Sequence, residues 1–149
     1  IPAKLLLVGD GPERQNVEKL TRQVCMEDDV YFLGKQEAVE ELLAIADLFV
    51  LPSETESFGL AALEAMACEV PVISTNTGGI PEINVQGVTG YLSNVGDVDD
   101  MAANAIKILS DESTLLQFRK NAIAQANKFS LDSILPMYEA YYRKVIEQK

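Results

Sequence analysis

Two glutamates eight positions apart, Glu56 and Glu64, interrupt a run of small and apolar residues, ETESFGLAALEAMA, over Glu54–Ala67. Glutamate is rarely buried without a partner. A helix carrying Leu60, Ala61, Ala62, Leu63, Ala65, Met66 and Ala67 around Glu64 is apolar nearly all round, the pattern of a buried helix. On one continuous helix the two carboxylates would stand roughly 12 Å apart, too far to share a ligand atom. Ser57-Phe58-Gly59 reads better as a loop turning into the helix, with Ser57 or Gly59 near the cap. Glu56 then lies in the loop and Glu64 about a turn and a half inside the helix. The free N–H groups at Phe58 to Leu60 and the positive end of the helix dipole suit a phosphate, and a carboxylate on either side suits hydroxyls. A ligand with hydroxyls on both sides of a diphosphate is a nucleotide sugar. The other reading pairs Glu64 with one of the 12 basic residues and leaves Glu56 solvated. The two carboxylates alone do not choose between them.

Three further stretches invite a chemical reading. Gly9-Asp-Gly11-Pro-Glu-Arg14 begins like a dinucleotide fingerprint, but Arg14 occupies the place of the third glycine, and Leu33-Gly34-Lys35 stands where a ribose-binding acid is expected. The dinucleotide reading fails, leaving either a glycine turn that lets a ligand approach the backbone or a tight turn without one. Thr77-Gly78-Gly79-Ile-Pro81-Glu82 again permits close backbone approach, and Pro81 suits the start of a short helix; a flexible crossover loop is the plainer reading. Asp97-Val-Asp99 has the spacing of a metal-holding DxD, yet it precedes a helical pattern where acids cap the end. Capping is the expectation there, and no metal ligand is assigned. A Walker-type GxxxxGK[ST] is absent from the sequence.

Positioning these residues requires strands that alternate with helices. The expected strands are Lys4–Val8, Val30–Leu33, Asp47–Leu51, Val70–Thr75 and Gly90–Leu92; between the first four lie helices at Glu13–Val24, Val39–Ala46 and Gly59–Ala67. Residues 97–149 read as two or three helices, with Ala102, Ile106 and Leu109 on one face. The last of them carries Leu135, Tyr138, Tyr141, Tyr142 and Val145 on a face expected to pack as core. Alternation of this kind predicts a Rossmann-like, doubly wound α/β domain with a parallel sheet of about five strands, which binds ligands at the carboxyl ends of its strands.

Composition narrows the function further. One domain is expected from 149 residues, and 48% hydrophobic with 23% charged residues is ordinary for a globular protein. A net charge of −11 argues against general binding to nucleic acid or to an anionic membrane face. No run is apolar over the roughly 18 residues of a membrane span, and no signal peptide leads the chain, so a cytoplasmic protein is expected. Cys25 and Cys68 match no zinc-ligand spacing and are expected to be free thiols. Histidine is absent, which removes the commonest general base. The chain starts at Ile1 directly before a strand-like run, as a piece of a longer protein would.

Taken in order, LLLVGDGPE, VYFLGKQ, ADLFVLPSETESFGLAALEAMA, VPVISTNTGGIPEI and GVTGYL span most of Leu5–Leu92. Glu56-Ser-Phe-Gly-Leu-Ala-Ala-Leu-Glu64 resembles the E-x7-E motif of the retaining glycosyltransferases of family four, which have the two-domain GT-B fold. The resemblance implies that this chain is the C-terminal, donor-binding domain. It implies Glu64 on the ribose hydroxyls, Glu56 beside the transferred sugar near the reacting centre, and the amides around Ser57, Phe58, Gly59 and Leu60 facing sugar and diphosphate. Gly34 and Lys35 would flank the base mainly by backbone, the turn at Gly9 and Gly11 would approach the donor, and Gly78 and Gly79 would line the same cleft. The donor is expected to be a nucleoside diphosphate sugar, with UDP favoured, and neither metal nor further cofactor is expected. The acceptor-binding N-terminal domain, with its histidine, and the Arg and Lys that neutralise the diphosphate are expected outside this chain, which would not catalyse transfer alone. The principal rival is a non-catalytic nucleotide-sugar-binding or regulatory module of the same fold. A response-regulator-like domain is disfavoured, because Asp10 stands without an acidic cluster and Tyr91-Leu-Ser-Asn ends the fifth strand without a lysine.

Overall fold

A computed structural model describes residues 1–148. The chain divides into two compact units, Ile1–Val39 and Glu40–Lys149. In the first, β1 (Leu5–Val8) pairs in parallel with β2 (Val30–Gly34), and α1 (Arg14–Gln23) connects them. The register slips by one residue between Leu7 and Val8, which sets Val8 opposite Gly34.

The second unit runs from α2 (Val39–Leu43) through β3 (Phe49–Leu51), α3 (Leu60–Ala67), β4 (Val72–Thr75), α4 (Ile80–Ile83) and β5 (Gly90–Ser93). It ends with α5 (Val98–Leu109), α6 (Glu112–Ala126), a 3-10 turn at Asn127–Phe129 and α7 (Leu131–Glu147). Its sheet is parallel in the order β3-β4-β5, with Phe49 opposite Val72 and Val72 opposite Gly90. All four residues of the central β4 are buried, as a strand covered on both faces requires. The five expected strands are all present, in two hydrogen-bonded sets.

Ile73 of β4 packs with Met101, Ile108 and Phe118, and Leu48, Tyr91, Ala105 and Leu115 close over this cluster. Fully burying an isoleucine, methionine or phenylalanine side chain contributes about 1.5–3 kcal/mol by removing it from water. A polar group pins the far side of the sheet. Asn84 is fully buried and donates to Ser74 Oγ (2.7 Å) and to the carbonyls of Val72 and Tyr91 (both 3.2 Å), while its Oδ1 accepts from Thr89 Oγ1 at 3.0 Å.

Asp97 caps α5, its Oδ1 accepting from the Asp100 amide at 3.1 Å, so the DxD-like stretch is a helix start. The burial of the C-terminal helices corrects one sequence expectation, the packing of the aromatic face of α7 as core. The buried face of α5 is Met101, Asn104 and Ile108, while Ile106 points outward; Asp100 fixes that rotation by accepting from Ser93 Oγ at 2.6 Å and Asn104 Nδ2 at 3.0 Å. The aromatic face of α7 is not core. No residue of α7 is buried, and Tyr138, Tyr141 and Tyr142 are 59%, 64% and 62% exposed, because the second unit lays no element over them. No helix among the described residues is long and apolar enough to cross a membrane.

Candidate functional site

In the second unit the loop after β3 and the loop after β4 leave adjacent parallel strands at their carboxyl ends and lie against each other. Thr75 Oγ1 donates to the Ser53 carbonyl at 2.5 Å, and Thr77 Oγ1 to the Glu54 carbonyl at 3.3 Å. Glycine makes the contact possible. A Cβ on Gly78, whose φ is +55°, would overlap the backbone of Glu56, and one on Gly79 would lie 2.6 Å from the Ser57 carbonyl oxygen. The Cβ side of both glycines is thus occupied by protein backbone, a reason for glycine beyond the ligand approach expected from sequence.

Glu56 is half-buried in this loop, and its Oε1 accepts from the Ser57 amide at 3.0 Å. Gly59 is the N-cap of α3, with φ 95° and ψ 43°, a left-handed conformation that favours glycine. Among the described residues no side chain caps the helix. Its first hydrogen bond back to the cap residue runs from the Leu63 amide to the Gly59 carbonyl at 3.1 Å. The amides of Leu60, Ala61 and Ala62 therefore have no helical acceptor.

Glu64 differs from expectation. It is exposed, because α3 buries only Ala62, Ala65 and Met66 and leaves Leu60, Ala61, Glu64 and Ala67 on its outer face. Alanines on that face made the helix look apolar all round while adding little surface to hide. Leu60, Leu63, Glu64 and Ala67 line a shallow groove whose other wall is Ala126, Asn127, Phe129 and Ser130. Those last residues carried no signal in the sequence, since only the return of α6 onto α3 brings them to Glu64.

The first unit gathers its own candidates. The Gly9 amide donates to the Gly34 carbonyl at 2.7 Å, with φ +121° and +68° at the two glycines. Gly11 is exposed, and its amide donates to Asp10 Oδ1 at 3.0 Å; Lys35 is exposed after β2. Arg14 turns inward: its Nε donates to Glu18 Oε1 at 2.9 Å, and its guanidinium lies 5.8 Å from the Phe32 ring centre. That pairing explains an arginine where a dinucleotide site has its third glycine.

Parallel strands alternate with helices in an α/β architecture, and the fold is that of the GT-B glycosyltransferases. The chain belongs to the family described as "Glycosyl transferases group 1", whose profile matches residues 1–125. It is 48% identical over 147 residues to N-acetyl-alpha-D-glucosaminyl L-malate synthase of Bacillus anthracis, an alignment covering 98% of this chain and 39% of that protein. It is 36% identical over 132 residues to a sulfoquinovosyl transferase of Arabidopsis thaliana, covering 85% of this chain and 25% of that one. Among solved structures, Anabaena HepE in complex with UDP superimposes with a TM-score of 0.87 at 28% identity, covering 95% of this chain and 41% of HepE. The chain thus spans well under half the length of these relatives.

Proposed function

We propose that this chain is the C-terminal, donor-binding half of a retaining glycosyltransferase that takes a sugar from a nucleoside diphosphate, with UDP favoured. The observation that carries the reading is the apposition of the Glu56–Gly59 and Thr77–Gly79 loops at the carboxyl ends of β3 and β4, in front of the uncapped start of α3. Relatives named for sugar transfer and the UDP complex of HepE support the choice of ligand.

The diphosphate meets the free amides of α3 and the positive end of its dipole, which stabilise an anion. Glu64, exposed on the groove side, accepts from the ribose hydroxyls, and Glu56 accepts from hydroxyls of the transferred sugar. Gly9, Gly11, Gly34 and Lys35 approach the nucleotide by backbone. In front-face transfer the bond from anomeric carbon to diphosphate oxygen breaks as the acceptor oxygen bonds the same face, and the acceptor proton passes to a departing phosphate oxygen. The main task is then electrostatic support of the leaving group, for which this half needs no histidine. The donor is the substrate, without metal or further cofactor. The acceptor is held by an N-terminal domain of the longer protein, which works in the cytoplasm and without which this chain is inactive.

Titration with UDP, GDP and NAD, followed through the amide signals of Gly9, Gly34 and Ser57–Glu64, tests this. Selective shifts with one nucleoside diphosphate are expected. An absence of shifts at millimolar ligand, here and in a chain extended upstream, would overturn it.

A further inference from the structure

Phe58 sits between Ser57, whose amide Glu56 holds, and Gly59, the cap of α3. One side of this loop is gripped by backbone and aliphatic contacts, because Gly79 presses on Ser57 and Phe58 and Gly59 lies under Ile80 and Ile83. The other side is gripped through a side chain. The Phe58 ring meets Phe129 edge to face, with centres 5.8 Å apart and planes at 69°.

Phe129 is itself firmly placed. It closes the 3-10 turn after α6, where Ser133 Oγ donates to the Asn127 carbonyl at 3.0 Å and the Ser133 amide to Ser130 Oγ at 3.3 Å. The preceding helix is anchored by buried Ala122 and Ala126 and by Gln125 Nε2, which donates to the Glu82 carbonyl at 3.4 Å. Phe129 also forms a wall of the groove beside Glu64. It therefore touches the surroundings of both carboxylates, from a position beyond residue 125, where the family match ends.

We propose that Phe129 is a positioning residue: through the Phe58 ring it holds the Glu56–Gly59 loop in its binding geometry, so that donor affinity depends on an aromatic ring at position 129. This rests on the donor-site reading above, and its test separates the two. Without Phe129 the loop keeps its backbone contacts to Gly78 and Gly79, but Phe58 is free to swing, and the order of Ser57–Leu60 becomes a cost of binding.

The experiment compares the wild-type chain with Phe129→Leu and Phe129→Tyr. Backbone 15N relaxation without ligand reads the loop, UDP titration reads affinity, and thermal unfolding reads the fold. In the wild type the Ser57–Leu60 amides should have order parameters near about 0.85, falling below about 0.6 in Phe129→Leu. UDP binding should weaken about threefold to tenfold, the range of an aromatic pair. Phe129→Tyr should restore both. A Leu variant that melts earlier but keeps the loop order would overturn the proposal and leave Phe129 as packing alone. If the wild type binds no UDP either as this chain or extended upstream, the donor reading fails, and the loop order parameters still decide the role of Phe129.

Discussion

A side chain on Gly78 would overlap the carbonyl oxygen of Glu56, so the β3 and β4 loops can meet only while position 78 carries no Cβ. The residue also has φ +55°, where other L residues are strained. Gly78→Ala should therefore destabilise the chain by more than about 1 kcal/mol and disturb the amide signals of Glu56 and Ser57. Denaturant unfolding and an amide spectrum check this; wild-type stability with unmoved signals would show that the loops do not touch.

Glu64 is exposed and its side chain makes no hydrogen bond among the described residues, so Glu64→Ala should leave stability within about 0.5 kcal/mol. Its effect belongs to ligand. UDP affinity should fall by about 1.5–3 kcal/mol, the range for a hydrogen bond to a charged group. Unchanged affinity by calorimetry would remove Glu64 from the site.

Glu56→Gln keeps an oxygen that can accept from the Ser57 amide, and so keeps the loop. In the full-length enzyme it should lower kcat more than it raises KM for the donor. Turnover equal to wild type would end the assignment of Glu56 to the reacting sugar.

At the start of α6, Asp111 Oδ2 accepts from Ser113 Oγ (2.7 Å), Thr114 Oγ1 (2.6 Å) and the Thr114 amide (2.8 Å). The Ser113 hydroxyl above all, and then Thr114, lower its pKa from 3.8 to about 2. A folded value below the unfolded one gives stability that is fully present above 3.8 and is lost as pH falls through about 2. The Thr114 amide signal should titrate with a midpoint near 2, and in Asp111→Asn that step should vanish. A midpoint at the usual carboxylate value would show that the hydroxyls do not hold the charge.

Much of this architecture is written locally. The apolar run Leu5–Val8 and the β-branched-rich run Val72–Thr75, bounded by Gly, Pro and Asn, marked strands, and Asp97 announced the helix it caps. Glu56, Ser57 and Gly59 were legible because the loop-to-helix turn lies within a few residues of sequence. Exposure was not. Ala61 and Ala67 look apolar but are small enough to sit on a surface, so Glu64 read as buried, and the tyrosines of α7 have the period of a core face without a cover in this unit. Phe129 and Asn84 depend on contacts across 71 and 10 positions, to Phe58 and Ser74 respectively, and no local pattern reports such distances.

The buried amide of Asn84 also acts against wrong answers. Asn84→Ala would strand partners on two strands and should cost about 1–3 kcal/mol, yet the larger consequence concerns sheets that almost form. Strand β5 has only four residues, and a slip by one would reverse the face of every side chain in it. Only one alignment brings the Val72 and Tyr91 carbonyls and Ser74 Oγ to the same amide, and only glycine at position 90 fits beneath Val72. Any shifted pairing forfeits several bonds at once and collides as well. The sheet thus proofreads its own assembly, and it does so directly beneath the loops that carry Glu56 and Gly78.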